Sequence, residues 1–227
     1  MNKFEKKLTE GSVAKQLIIF STPMLIANII QQIYSVADMM IVGQFTDTAG
    51  ITGVHIGSQV TLLITNMVFG LCVGGTALIG QYIGADDRKA LKETISTLFT
   101  TLLILAAVLT VIMIAVQNPL LTLIKTPISS FDDASSYFFV TMLGTIFIFG
   151  YNALSAVMRG MGDSRSPMIF VGIACVANIA LDFLFVGAFG MRALGAAIAT
   201  VISQALSMFL CIIYLKKNDF IFNFKFK

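Results

Sequence analysis

Two apolar segments of membrane-spanning length, each carrying a single aspartate, constrain this chain more than any other feature of its sequence. Pro23–Phe45 and Pro167–Phe189 align at an offset of 144 residues, the separation of Pro23 from Pro167, and the alignment superposes Asp38 on Asp182. An ionised carboxylate is costly in hydrocarbon, so such residues face a protein interior or a watery cavity. The sequence therefore predicts two helices that carry matched acids to equal depth in one cavity.

The composition places the chain among integral membrane proteins. Of its 227 residues, 57% are hydrophobic and only 12% are charged, whereas a soluble domain has about 25% charged residues. The mean hydropathy is +0.89. The net charge of +3 comes without a cluster of basic residues on a soluble face, so we expect a lipid bilayer as a partner and no nucleic acid.

Apolar runs of about 20 residues or more predict an all-α integral membrane protein, a six-transmembrane-helix bundle. The predicted spans are 16–43, 54–82, 94–117, 136–158, 167–189 and 193–215. The corresponding domain division is a cytoplasmic N-terminal segment at 1–15, a six-helix lobe at 16–215, and a cytoplasmic tail or the start of an inter-lobe loop at 216–227.

The distribution of lysine and arginine predicts the orientation. The two termini and the loops after the second and fourth spans hold 13 of the 15 basic residues, and the opposite loops hold only Lys125 and Arg192. Basic residues concentrate on the cytoplasmic side. We therefore expect both termini to be cytoplasmic, in a multi-pass protein of the cytoplasmic (inner) membrane.

Polar residues recur at helical spacing inside the predicted spans and indicate a wet central cavity. Besides the two aspartates, the candidates are Gln31, Tyr34, Gln59, Tyr151, Asn178, Thr200 and Ser203. For Gln59 and Ser203 a role in interhelical hydrogen bonding, worth about 0.6–2 kcal/mol each, is the favoured interpretation. For Asp38 and Asp182 a functional role is favoured, because no predicted span contains a lysine or arginine to pair with them. Such carboxyls can take up a proton, or can bind Na⁺ with oxygens of Asn178 and Thr200.

Pro23 is a candidate hinge in the first span. Proline removes a backbone hydrogen bond and permits a kink, and two interpretations stay open. Either the first helix bends when Asp38 changes its charge, or the kink is static.

Enzymatic chemistry is not indicated anywhere in the sequence. There is no Walker A loop, no plausible Ser/His/Asp set and no Cys/His cluster with metal-ligand spacing. The three cysteines, Cys72, Cys175 and Cys211, all lie in apolar runs. We therefore predict no enzyme activity and no cofactor apart from a coupling ion.

Taken together, these residues resemble the N-terminal half of the multidrug and toxic-compound extrusion (MATE) family, in its bacterial and archaeal branch with an acidic N-lobe. The resemblance covers nearly all of residues 10–217. Its most specific pieces are Pro23 with Asp38, GQYIGADD at 80–87, RGMGDSRSP at 159–167, NIALD at 178–182 and GAAIATVISQ at 195–204. It implies antiport of Na⁺ or H⁺ against an organic cation or amphipathic drug, with a cation site at Asp38, Asn178, Asp182 and Thr200.

The length of the chain leaves the assembly open, since members of this family look like two six-helix lobes in one chain. A fragment, a truncated gene product, and a half-transporter that pairs with itself or with a separate C-terminal lobe are the alternatives. Two other functions also stay open. A lipid-linked oligosaccharide flippase would be expected to carry cationic residues in its cavity, and a half-length membrane subunit could assemble without transporting. The choice between Na⁺ and H⁺ and the identity of the substrate are not determined by the sequence.

Overall fold

The computed structural model describes residues 12–217, and all of their regular elements are helical. The elements are α1 (Val13–Phe45), α2 (Thr48–Gly84), α3 (Arg88–Ala115), α4 (Gln117–Leu123), α5 (Ile128–Leu143), α6 (Thr145–Gly160), α7 (Arg165–Asp182), a π-helix (Phe183–Ala188) and α8 (Arg192–Lys217). Five long helices and one bent pair are apolar enough to cross a membrane. The six-helix prediction is confirmed, whereas most of 1–15 and of 216–227 lies outside the described residues and the orientation stays a prediction.

The fourth span differs from the straight helix predicted over 136–158. It begins at Ile128, in α5, and bends by 49° where α5 meets α6. Gly144 stands at the bend, and a Cβ there would collide with the side chain of Val201 on α8. The hydroxyls of Thr110 and Thr145 both donate to the carbonyl oxygen of Met142, at 3.0 and 2.7 Å. These bonds satisfy the backbone group that a bend in a membrane would otherwise expose.

The two helices with the repeated sequence, α1 and α7, pack against each other, and α7 also packs against α8. At the end of the lobe where α1 finishes, a small buried cluster joins α1, α2, α5, the π-helix and α8; it comprises Val42, Val54, Tyr137, Val186, Ala193, Ala196 and Ala197. A larger apolar core fills the rest of the lobe. The outer faces expose large apolar residues such as Met67 and Val111, as expected of surfaces that contact lipid.

Candidate cation site

Asp38 and Asp182 meet in the interior, beside the small buried cluster. The residues are 6% and 0% exposed, and their carboxyl groups lie close enough to interact with each other. The Oδ1 atom of each is buried and has no hydrogen-bond partner among the described residues. Two ionised carboxylates in contact repel each other strongly. The pair is therefore compatible with burial only when a proton or another cation is shared between the two groups.

Asn178 and Thr200 extend the acid pair into a network that spans three helices. With its amide nitrogen turned towards the acid, Asn178 donates from Nδ2 to Asp182 Oδ2 at 2.8 Å and accepts from the Thr200 backbone N–H at 3.3 Å. The hydroxyl of Tyr34 donates to Thr200 Oγ1 at 3.1 Å. Thus α1, α7 and α8 each supply part of one polar cluster.

Tyr137 is a member of this cluster that the sequence did not identify. It is 4% exposed and lies near Thr200 and near both Asp38 and Asp182. Its position depends on the early start of α5 and on Gly57 of α2, where a Cβ would lie 2.6 Å from the tyrosine ring. The only indication of this role in the sequence is that a tyrosine lies within the fourth predicted span.

The backbone around the two acids is different in spite of the repeated sequence. Asp38 lies inside α1, which continues as an α-helix to Phe45. Asp182 is the last residue of α7, and the next six residues form the π-helix. The ring of Phe45 packs edge-on against Phe183, with centroids 6.2 Å apart. π-Helical turns are rare in proteins, and those that occur are often found at functional sites.

The remaining predicted residues lie at various distances from this cluster. Gln31, Tyr34 and Ser203 line a small cleft between α1, α7 and α8. Gln59 is exposed on α2, and Tyr151 donates to the carbonyl oxygen of Pro167 at 3.1 Å, so neither is hydrogen-bonded to the acids. Pro23 is buried within α1, which runs through it as one helix.

Within residues 12–217, no lysine or arginine forms an ion pair with either acid. Arg192 is bound to Asp47 and Asp133. Arg159, which was predicted to lie in a loop, forms part of the last turn of α6.

The acids and Thr200 supply carboxylate and hydroxyl oxygens, whereas the Asn178 amide presents its nitrogen to Asp182. Carboxylate and hydroxyl oxygens suit a proton or a hard cation such as Na⁺. Nowhere in the described part of the chain do three His, Cys, Asp or Glu residues come together as they do in a transition-metal site.

Comparisons with known proteins point to one family. The family model described as MatE matches residues 23–184. The probable multidrug resistance protein YpnP of Bacillus subtilis is 30% identical over 213 residues, which are 94% of this chain and 48% of that protein. The probable multidrug resistance protein NorM of Thermotoga maritima is 28% identical over 85% of this chain and 42% of its own length.

A solved structure supports the same assignment. The outward-facing conformation of a multidrug resistance MATE family transporter of the MOP superfamily superposes with a TM-score of 0.85 at 27% identity. The superposition covers 94% of this chain and 48% of that one. The chain thus spans about half the length of the relatives it matches.

Proposed function

The chain belongs to the MatE family, and we propose that it acts as one lobe of a cation-coupled antiporter that exports organic cations or amphipathic drugs. The family relationship supports the transport class, since its relatives are named as multidrug resistance and multidrug export proteins. The observation that carries the coupling is that Asp38 and Asp182 are both buried and lie close together, because two buried carboxylates at close range need a positive charge to be stable.

The proposed cycle is an exchange of charge at the acid pair. In the empty state, the two carboxylates repel each other and attract a cationic substrate. Uptake of one H⁺ or Na⁺ lowers the net charge of the pair from −2 to −1, allows the two carboxyl groups to lie close together, and weakens the attraction for the substrate. Tyr34 of α1 donates to Thr200 of α8, and Tyr137 of α5 lies beside them, so a change of charge at the pair is felt by three helices at once. Alternating access follows if the two charge states favour different arrangements of these helices.

We also propose that the chain is a multi-pass protein of the cytoplasmic (inner) membrane. Both of its termini would lie in the cytoplasm, because most of the basic residues are in the termini and in the loops on the same side. A second lobe, either another copy or a separate C-terminal half, would complete the substrate cleft, since the matched relatives are about twice as long as this chain. A flippase of lipid-linked oligosaccharides is disfavoured, because no basic side chain contacts the acid cluster in the described residues.

Cation binding by the chain itself is the direct test. The chain is reconstituted in nanodiscs, and the carbonyl stretch of protonated carboxyl groups is followed by infrared difference spectroscopy during titration with protons and, separately, with Na⁺. We expect a cation-dependent carboxyl signal that is lost in Asp38→Asn and in Asp182→Asn. Asp132→Asn, which removes an exposed acid from α5, is the matched control and should keep the signal.

Transport is tested with ethidium in proteoliposomes that contain the assembled transporter, driven either by a proton gradient or by a Na⁺ gradient. The gradient that drives export identifies the coupling ion. Normal export by both Asp38→Asn and Asp182→Asn would sink the proposed mechanism.

A further inference from the structure

One arginine joins three elements at the end of the lobe nearest to the acid pair. The guanidinium of Arg192, the first residue of α8, contacts Asp133 of α5 through Nε at 3.2 Å from both oxygens and through Nη2 at 2.6 Å. The same Nη2 lies 2.7 Å from Oδ1 of Asp47, and Nη1 lies 3.3 Å from Oδ2. We call Arg192, Asp47 and Asp133 the three-way clamp.

The backbone conformation and the packing around the clamp support this arrangement. Arg192 has φ of +51°, in the left-handed region that side chains other than glycine rarely adopt. Such outliers persist where the surroundings hold them, and they are concentrated at functional sites. Asp47 is itself fixed, because it accepts the Gly50 N–H at 2.9 Å as the N-cap of α2. A Cβ on Gly53 would lie 2.5 Å from the Cβ of Asp133, so α2 carries a glycine where it passes the clamp.

Each member of the clamp is close in sequence to one residue of the candidate cation site, namely Tyr137, Thr200 or Asp38. Asp133 precedes Tyr137 by one helical turn, about 6 Å, and Arg192 precedes Thr200 by about 12 Å. Asp47 follows the end of α1, the helix of Asp38, after a single intervening residue. The clamp therefore fixes α5, α8 and the α1–α2 junction relative to one another just beyond the cluster.

We propose that Arg192 is a positioning residue, which holds Tyr137, Thr200 and Asp38 in the geometry that binds the coupling cation. This inference rests on the proposed function. A guanidinium suits the task, because its planar fork can bind two carboxylates at once, whereas a lysine ammonium acts as a point charge.

Variants of the clamp can show whether Arg192 acts on cation binding by positioning residues or only through its charge. The clamp carries one positive and two negative charges, a net charge of −1. In Arg192→Gln it would carry −2, and its field alone would tighten cation binding at the acid pair. In the double variant R192Q/D133N the net charge stays at −1 while the bidentate pair is lost. Any change in the double variant therefore reports on geometry.

The experiment titrates the acid-pair carboxyl signal of the full chain in nanodiscs with protons and with Na⁺. We expect R192Q/D133N to bind the cation at least about fivefold more weakly than the wild type, a coupling of the size common between distinct sites. Arg88→Gln is the control, because it removes an exposed Arg–Asp pair at the start of α3 and should leave the midpoint unchanged. Circular dichroism checks that each variant is folded.

The outcomes are distinct. A folded R192Q/D133N with the wild-type midpoint overturns the proposal. If that variant does not fold, Arg192→Lys takes its place, and a wild-type midpoint in Arg192→Lys overturns the proposal equally. A wild-type chain without any cation-dependent carboxyl signal would instead refute the proposed function itself.

Discussion

At the scale of single residues, Thr200 is the junction of the candidate site. Its hydroxyl accepts a hydrogen bond from Tyr34, Tyr137 lies nearby, and its backbone N–H donates to Asn178. We predict that Thr200→Val, which keeps the shape and removes the hydroxyl, weakens cation binding by roughly tenfold, because the half-buried phenol of Tyr34 loses a partner worth about 1–3 kcal/mol. The measurement is the midpoint of the carboxyl signal in a cation titration.

Thr52→Val is the matched control for this prediction. The Thr52 hydroxyl bonds to the Thr48 carbonyl within its own helix, so its loss should leave the midpoint unchanged. Equal midpoints in the wild type and in Thr200→Val would show that the hydroxyl does not support the acid pair.

Asp47 provides a second prediction, which concerns stability at acid pH. A hydrogen bond from the Gly50 N–H and then the Arg192 guanidinium lower the pKa of Asp47 below its usual value of 3.8. A carboxyl with a depressed folded pKa stabilises the fold above its unfolded pKa and loses this contribution as the pH falls through the folded value. The wild type should therefore be more stable than Asp47→Asn at pH 7, and this advantage should shrink below about pH 4.

Thermal unfolding followed by circular dichroism between pH 7 and pH 3 measures this difference. Asparagine can still cap α2, so the comparison isolates the charge of Asp47. A gap between the two melting temperatures that stays constant over the whole range would contradict the assignment.

Sequence reasoning reached part of the residue-scale picture. The sequence indicated four residues of the site, because each is a polar residue within an apolar run: Asp38, Asn178, Asp182 and Thr200. A polar residue in such a run usually serves a function or forms a hydrogen bond. In the structure these four residues lie together, which gives the proposed cation site a defined geometry. Tyr137 was not recognisable, because a tyrosine near a span end is also typical of a membrane interface.

At the scale of elements, the bend between α5 and α6 depends on a missing side chain. We predict that Gly144→Ala lowers the stability by about 1–3 kcal/mol, the usual cost of overpacking, since the new methyl group would collide with Val201. The second substitution Val201→Ala should restore part of the loss. Chemical unfolding in detergent followed by circular dichroism measures both effects.

The α2 glycine Gly70 gives a matched control, because nothing lies within 4 Å of its missing Cβ. Gly70→Ala should be neutral or stabilise by up to about 1 kcal/mol, as expected in a helix interior. If Gly144→Ala behaves like Gly70→Ala, the bend does not require the close approach of α8.

The number and order of the helices were predictable, whereas their breaks were not. Apolar runs of sufficient length define a span whatever its neighbours are. The bend at Gly144 depends on Thr110 of α3 and Val201 of α8, which are distant in sequence. Hydropathy averages over a window and gives no information on such contacts.

At the scale of the whole molecule, the proposed cation site draws all its residues from one chain, whereas the substrate cleft is proposed to need a second lobe. We predict that a nanodisc with a single chain shows the saturable cation-dependent carboxyl signal, and that vesicles with at most one chain each do not export ethidium. Analytical ultracentrifugation of the nanodiscs establishes the copy number. Export by vesicles with one chain would show that a single lobe is sufficient.

The π-helix that follows Asp182 bears on the similarity between the two aspartate-carrying segments. Residues 38–45 and 182–189 agree at four of eight positions, yet one octet continues as an ordinary helix and the other is wound more widely. Two similar segments thus adopt different backbone geometries and are not interchangeable. Grafting either octet onto the other helix would preserve its aspartate and still misplace everything downstream of it, so resemblance between the halves of such a repeat is a poor guide to what each half tolerates.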